Sequence, residues 1–488
     1  MSNAVTCFRD VLVLDGLGSA GVRADVTIEG DRIASVGQAG PDADIEIDGA
    51  GLALAPGFID VHTHDDTAVI SAPDHACKTL QGVTSVVVGN CGYSAAPVND
   101  DDFGFARFPR LADYLRRVED AAPAVNVGSL VGHGTVRTAV MGLRTDRAPE
   151  PDERHRMVEI VAEAMEHGAL GFSSGLAYEP GRYAAHDEMV TLAEVVAAAG
   201  GIYTTHMRNE SQDLVASIDE SIAVAEATGI PLQISHLKAS GRDHWGTVVT
   251  ALDRIDAARA RGVDVMADQY PYTRGSTLLE QVVSAGALDG PSSFAHLAPA
   301  DILIAAAPKH PEWEGKTIEA IAEEAGTTGR DMADRIVAAE GRACLVVLDT
   351  MAEADVRTVI AHPAVMTGSD GVPGGSRPHP RLHHTYPRVL GHYSREEGLL
   401  ELADAVHRMT GMPAERFGFV DRGVIREGAF ADLVLFDPDT IIDTGTYTDP
   451  TTVPEGIHGV WVNGEQVVAE GAITGARPGR VVRRETST

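Results

Sequence analysis

The stretch Gly57–Asp66, GFIDVHTHDD, ends an apolar run with two imidazoles, His62 and His64, set one residue apart. Side chains two apart on a strand share a face, so both rings can address one point. A strand that ends this way presents ligands; Asp65 and Asp66 behind it are expected to orient those rings or to face solvent. Apolar runs that close on polar clusters recur along the middle of the chain: TSVVVGNCGYS, AVNVGSLVGHGTVR, GALGFSSGLAYEPG, GIYTTHMRNE, PLQISHLKAS, VDVMADQYPY and AVMTGSDG. Helix-patterned stretches such as DERHRMVEIVAEAMEHG and DLVASIDESIAVAEATG lie between them. Eight strand–helix units in series predict an α/β fold, a parallel (β/α)8 TIM-type barrel over residues 56–411. A doubly wound open sheet is the weaker alternative, because no phosphate-binding glycine fingerprint follows the first strand. The last helix is expected to open with a capping box at Ser394 and Glu397, to bury Leu399, Leu402, Val406 and Met409, and to stop at Gly411.

The two ends of the chain read differently. RDVLVLDG, ADVTIEGDRIASVG and ADIEIDGAG near the start, and ADLVLFDP and GIHGVWVNGEQVVAEG near the end, alternate apolar positions between Gly/Asp turns. They predict one small β-sandwich domain assembled from residues 1–55 and 412–480. Between QYPY and MTGSDG lie about ninety residues, longer than an ordinary connection. TIEAIAEEAG and RDMADRIVAAEG within it predict a helical insertion over residues 275–345, between strands seven and eight, covering the barrel mouth as a lid.

The formal charge is −32, from 39 Lys+Arg against 71 Asp+Glu. Such a surface repels nucleic acid and anionic membranes and excludes them as expected partners. Its one short basic run, RPGRVVRR, reads as a solvated tail. No stretch approaches the roughly 18 to 20 apolar residues of a membrane span, and the opening MSNAVTCFRDVLVLDG lacks the pattern of a signal peptide. Four cysteines without a CxxC pair are no disulfide framework, so a reducing cytoplasm is the expected compartment. Cys7, Cys77 and Cys344 carry no functional argument.

In a parallel barrel the active site forms at the C-terminal ends of the strands. Strand one ends there in His62 and His64, strand two in Cys91, strand five in His206, strand six in His236 and strand eight in Asp370. A lone strand-end histidine is more often structural, and a lone cysteine is more often a small buried hydrophobe. Coincidence at matching ends of different strands is what predicts a metal site. A thiolate with imidazoles is a borderline-soft set that favours zinc over magnesium or calcium. His133 is expected to shape the end of the third strand, and His379, His383 and His384 to crowd the mouth as polar filler.

With those residues placed, the chain resembles the amidohydrolase superfamily, and within it the N-acyl-D-amino-acid deacylases (D-aminoacylases). PGFIDVHTH, THMRNE, ISHLK and TGSDG, in that order, carry the first resemblance. GNCGYSAAP, GHGTVR, GALGFSSGLAYEPG, DQYPYTRGST and RPHPRLHHTYPRVLG carry the second. It implies one tightly held zinc on Cys91, His206 and His236, and a second, weaker metal position at His62, His64 and Asp370. Many members of the superfamily use a carboxylated lysine at the end of strand four; here Ser173 and Ser174 stand there, so Cys91 takes its place.

The implied reaction is hydrolysis of a linear amide, an N-acyl-D-amino acid, to a carboxylate and a free D-amino acid. A metal ion that lowers the pKa of water and polarises the acyl oxygen meets the demand of a poor electrophile. Asp370 is expected to accept the proton of that water and return it to the departing nitrogen. The substrate's carboxylate calls for cations, and Lys238 and Arg377 are the candidates. Tyr178, Tyr272 and Ser276, with Tyr270, are hydrogen-bonding candidates, and Arg274 could grip a second carboxylate. The competing enzymes are a cyclic-amide hydrolase, hydantoinase- or dihydroorotase-like, and a dipeptidase on the same barrel. A catalytically dead scaffold is the competitor from another class, opposed by the presence of all six ligand-type residues. Side-chain preference, acyl group, handedness apart from the resemblance, one working metal or two, and oligomeric state are not legible.

Overall fold

The computed structural model describes residues 4–37, 43–98, 108–143 and 145–484. Its centre is an eight-stranded parallel sheet whose strands follow one another in chain order: β1 (Phe58–Asp60), β2 (Val83–Val88), β3 (Asn126–Gly132), β4 (Gly171–Gly175), β5 (Ile202–His206), β6 (Leu232–Ile234), β7 (Val265–Gln269) and β8 (Val365–Thr367). All six residues of β2 are buried, as a β-branched strand covered on both faces requires. Helices alternate with the strands. The helix Pro151–Glu166 starts with proline in its first turn and a Glu150/Glu153 capping box, and it turns Met157, Val161, Ala164 and Met165 inward at helical spacing.

Closure of the ring is unusual. β1 and β8 share no ladder. Their chains join just beyond the strand ends, where Thr63 pairs with Gly371 and the Asp370 amide donates to His62 O at 2.7 Å. The His64 amide donates to Gly371 O at 2.9 Å. The last backbone bonds of the barrel are therefore made by the expected ligands His62, His64 and Asp370 themselves, with Gly371.

The two termini build one nine-stranded sheet, in which Leu433–Phe436 pairs antiparallel with Ala53–Pro56 and joins the two ends. The sheet curls over its own core of Phe8, Val26, Ile33, Leu54, Leu433 and Trp461. Phe8 and Trp461 meet edge to face at 4.8 Å although two strands lie between theirs.

The insertion is helical only in part. Leu279–Ser284, Ile318–Ala325 and Gly329–Glu340 are helices, but they pack on a three-stranded antiparallel sheet of Arg274–Leu278, Ile302–Ala306 and Leu345–Asp349. Its apolar core, with Leu279, Ile304, Ile318, Ile336 and Val346, runs on into Tyr178 and Cys91 at the barrel mouth. The final helical segment also differs from its reading. Arg381–Arg388 continues as wider turns over Val389–Glu396, so Ser394 sits inside a helix and caps nothing. Leu402–His407 is a separate helix, and Gly411 opens Gly411–Phe417 instead of ending one. A capping signature is local, whereas burial of Tyr386, Val389, Leu390 and Tyr393 carries the helix through.

The terminal sheet is tied to the barrel by a buried polar network. Arg422 pairs with Asp432, which also accepts from the Asn463 amide at 2.7 Å and from Asn126 Nδ2, at the start of β3, at 3.1 Å. Removing one partner of a buried ion pair leaves the other charge uncompensated. Asp432→Ala is expected to cost about 3–5 kcal/mol in denaturant unfolding, and Asp432→Asn clearly less.

Candidate metal centre

The expected ligands converge. Cys91 Sγ lies 3.2 Å from His62 Nε2 and 3.4 Å from His236 Nε2. His62 Nε2 and His64 Nε2 lie 3.5 and 3.2 Å from Asp370 Oδ1. Two overlapping sets emerge, Cys91/His206/His236 and His62/His64/Cys91/Asp370, with the ligand atoms of each set within 4.8 Å of one another. Both ring nitrogens of the buried His206 lack a hydrogen-bond partner. An imidazole so placed, edge-on to His236 at 4.4 Å and beside a thiol, fits a zinc ion as its missing partner.

Second partners fix the rings. Asp268, at the end of β7, accepts from His62 Nδ1 at 3.0 Å and from the His236 amide at 2.8 Å, and Gln233 Nε2 steadies its other oxygen at 3.1 Å. Glu210 lies 2.9 Å from His236 Nδ1 and takes Lys238 Nζ at 2.7 and 2.8 Å. With Nδ1 of both rings held beside a carboxylate, each Nε2 is turned toward Cys91, the orientation that metal-ligating histidines favour. Cys91, His236 and Asp370 all take left-handed backbone, with φ of 53°, 36° and 49°, a conformation that non-glycine residues hold only where packing imposes it.

Packing imposes it at Cys91. Ser173 Oγ on β4 donates to Gly89 O at 2.5 Å and accepts from the Gly92 amide at 3.0 Å, gripping both sides of the loop. A Cβ on Gly175 would stand 2.1 Å from Cys91 O, and one on Gly92 2.6 Å from the Gly175 nitrogen. The serine found where many amidohydrolases carry lysine thus holds the cysteine loop down on β4.

The electrostatics agree with that geometry. Burial pushes the Cys91 thiol up, but the neighbouring His62 and His236 imidazoles hold it well below its ordinary value. Burial also raises Asp370, and Arg381, His236 and His62 outweigh it and keep the carboxyl well below the usual range. Burial lowers His64, yet Asp370 and Cys91 bring it up to about 9.

The centre floors a cavity of about 370 Å³. Lys238, Tyr178 and Ser276 line it. Three candidates do not. Arg377 is exposed, packs on Gly315 and donates to Thr448 O at 3.4 Å. Arg274 pairs with Asp349 at 3.4 Å and covers the Tyr447 ring. Tyr272 packs against His379 and under Arg388. Their places at the cavity are taken by Arg381, whose Nη1 is 2.8 Å from Asp370 Oδ2 and whose Nε has no partner, and by Tyr270, whose buried hydroxyl is likewise unpartnered. Glu210, Asp268 and Arg381 were all present in the motifs THMRNE, DQYPY and RPHPR, but strand-end periodicity assigns them no role. His133 is bound at 2.7 Å to the buried Glu188, away from the cavity. Asp65 and Asp66 are buried, and Asp65 faces His75 and Lys78 instead of the paired histidines. A third acid–imidazole group, Glu353, His392 and Glu397, is half-buried, and Arg357 already bridges its two glutamates.

Residues 46–468 match the amidohydrolase family. The chain belongs to that family. Within this amidohydrolase family its relatives include the D-aminoacylase of Alcaligenes xylosoxydans xylosoxydans, 41% identical over 97% of this chain and 96% of that protein. The N-acyl-D-glutamate deacylase of the same organism is 42% identical over the same shares. The N-acyl-D-glutamate deacylase of Bordetella bronchiseptica, solved with zinc and a phosphonate inhibitor that mimics the tetrahedral intermediate, superposes with a TM-score of 0.90 at 38% identity, covering 99% of this chain and all of that one. The amidohydrolase is thus one of the D-aminoacylase group.

The contrasting thiols give a direct check. Burial pushes Cys77 and Cys344 up to about 12, whereas Cys91 is held low and lines the cavity. The thiolate is the reactive form. Alkylation of metal-stripped enzyme near pH 7 by a small haloacetamide, read by peptide mass, is expected to label Cys91 and leave Cys77 and Cys344 unmodified; restored zinc should protect Cys91.

Proposed function

We propose that this amidohydrolase is a zinc-dependent N-acyl-D-amino-acid deacylase, with Cys91, His206 and His236 as the tight zinc site and His62, His64 and Asp370 completing a second, weaker one. The observation that carries the reading is the His206 imidazole, which has no hydrogen bond of its own, facing Cys91 and His236 on the floor of a cavity walled by cations. When bound, zinc supplies the Lewis acidity that brings the pKa of water toward neutrality and polarises an amide carbonyl.

The chain's own residues then do the rest. Asp370, ionised beside Arg381, accepts a proton and delivers it to the leaving nitrogen. Arg381, Tyr270 and Lys238 receive the substrate's carboxylate. Arg381 takes the role expected of Arg377, because its free Nε and the unpartnered Tyr270 hydroxyl are donors without acceptors in the same wall. Lys238 already serves Glu210, so its contribution is charge more than a new hydrogen bond. Tyr178 lies tilted against His206, with ring centroids 4.5 Å apart, and, with Ser276, borders the acyl side. The insertion over residues 275–345 acts as cover for the barrel of 56–411, and the terminal sheet of 1–55 and 412–480 as its support. The D-handedness follows the relatives, all three of whose names carry it. A small molecule bearing a carboxylate is the partner, and the cytoplasm the compartment, where four free cysteines suit reducing conditions. A cyclic-amide hydrolase or dipeptidase on the same barrel is less well supported.

Asp370→Asn is expected to keep its tight zinc and lose about 10²–10⁴-fold in kcat on N-acetyl-D-amino acids. Cys91→Ala is expected to lose both zinc and activity; metal analysis beside the assay separates the two. Turnover of hydantoin or dihydroorotate exceeding that of the N-acetyl-D-amino acids would overturn the reading. Since Arg274 is engaged by Asp349 outside the cavity, Arg274→Ala should leave the ratio of turnover on N-acetyl-D-glutamate and N-acetyl-D-methionine within about twofold.

A further inference from the structure

Lys78 lies in the short helix Ala76–Thr79 and is fully buried. Its ammonium meets three acceptors: Asp60 Oδ2 at 2.6 Å, Ser369 Oγ at 2.8 Å and Asp65 Oδ2 at 3.5 Å. Those three are not arbitrary positions. Asp60 stands two residues before His62, Asp65 directly follows His64, and Ser369 directly precedes Asp370. One cation therefore grips both ends of the segment that carries the paired histidines, and the root of the segment that carries the acid.

Further bonds make the grip rigid. Ser369 Oγ donates to Asp60 Oδ2 at 2.5 Å, and the Ser369 and His62 amides donate to Asp60 Oδ1 at 2.9 and 3.3 Å. The Gly371 amide donates to Ser369 Oγ at 3.0 Å, and His75 Nε2 holds Asp65 Oδ2 at 3.1 Å. A Cβ at Gly371 would come within 3.0 Å of Lys78 Nζ, so the glycine after Asp370 leaves the ammonium its room. This is also where β1 and β8 lack a ladder. Beneath the few backbone bonds at residues 62–64 and 370–371, the seam is closed by the Lys78, Asp60 and Ser369 side chains. An ammonium has three donors and no acceptor, which matches three oxygen atoms arriving from three chain segments.

We propose that Lys78 is a positioning residue: it sets the spacing of His62 and His64 against Asp370, and so the second metal position, while touching neither ion nor substrate. This rests on the reading above for the roles of those three residues.

The test uses full-length enzyme and zinc alone as the probe. Lys78→Met keeps the length of the side chain and removes its charge. Because that strands two buried carboxylates, Lys78→Met/Asp65→Asn is made alongside it, removing one charge of each sign. The expected result is a single zinc retained after dialysis as in wild type, a second equivalent bound about 10–100-fold more weakly in competition with a chelator, and kcat lower by about the same factor while KM moves less than about threefold. Either folded variant with second-site affinity and kcat within about twofold of wild type overturns the proposal. So does parallel loss of both zinc equivalents, a wild type that takes up no second equivalent, or failure of both variants to fold, each of which makes Lys78 a residue of the fold alone. If wild type binds two zinc ions but deacylates nothing, the functional reading fails while the affinity comparison still decides the role of Lys78.

Discussion

Ionisable groups crowded into a dry barrel mouth must each have their proton assigned, and the centre depends on that constraint. Four imidazoles, a thiol and a carboxyl stand within a few ångströms of one another. Left to themselves they would rotate, protonate or repel. Asp268 settles the His62 ring and, with the same oxygen, anchors the backbone amide of His236. Glu210 settles the outer face of His236 and neutralises Lys238. What remains unassigned is the His206 ring, and an unmet need of that kind in a buried polar cluster marks a place for a ligand. Carboxylates behind histidines orient a site before any ion arrives.

Closing the barrel and assembling the centre are the same structural event. The chain that follows β1 carries His62 and His64, the chain that follows β8 carries Asp370, and the bonds that join them are made between those very residues. A shift of register at that seam would separate the histidines from the acid. The left-handed backbone at Cys91, His236 and Asp370 points the same way. At Cys91 the packing that enforces it is visible: Gly175 and Gly92 meet across the cysteine loop without space for an added Cβ, and Ser173 bonds both sides of that loop.

The barrel and six ligand-type residues were legible because they obey local rules: apolar runs of strand length, and a metal-competent side chain at the ends of five of them. The cavity wall was less so. RPHPR offers two arginines four apart. Pro380 starts the helix Arg381–Arg388, whose first residue turns into the cavity, while Arg377 stays on the exposed loop before it. Tyr270 and Tyr272 would share a face on a strand, but the Tyr272 amide bonds back to Tyr270 O at 3.0 Å around Pro271. That tight turn sends one ring to the cavity and the other to His379. The insertion kept its sheet hidden for a similar reason: three short strands far apart in the chain show no pairing until they are brought together.

Residue types, their order and the periodicity of the runs were enough to determine which atoms could bind an ion and at which end of the barrel they would stand, since strand direction and side-chain alternation are properties of a few consecutive residues. Which acid holds which base was decided only in three dimensions. Asp60 and Ser369 are 309 positions apart, yet they share a proton network with Lys78. Pairings of that range depend on how the ring closes, and closure is a property of all eight strands at once.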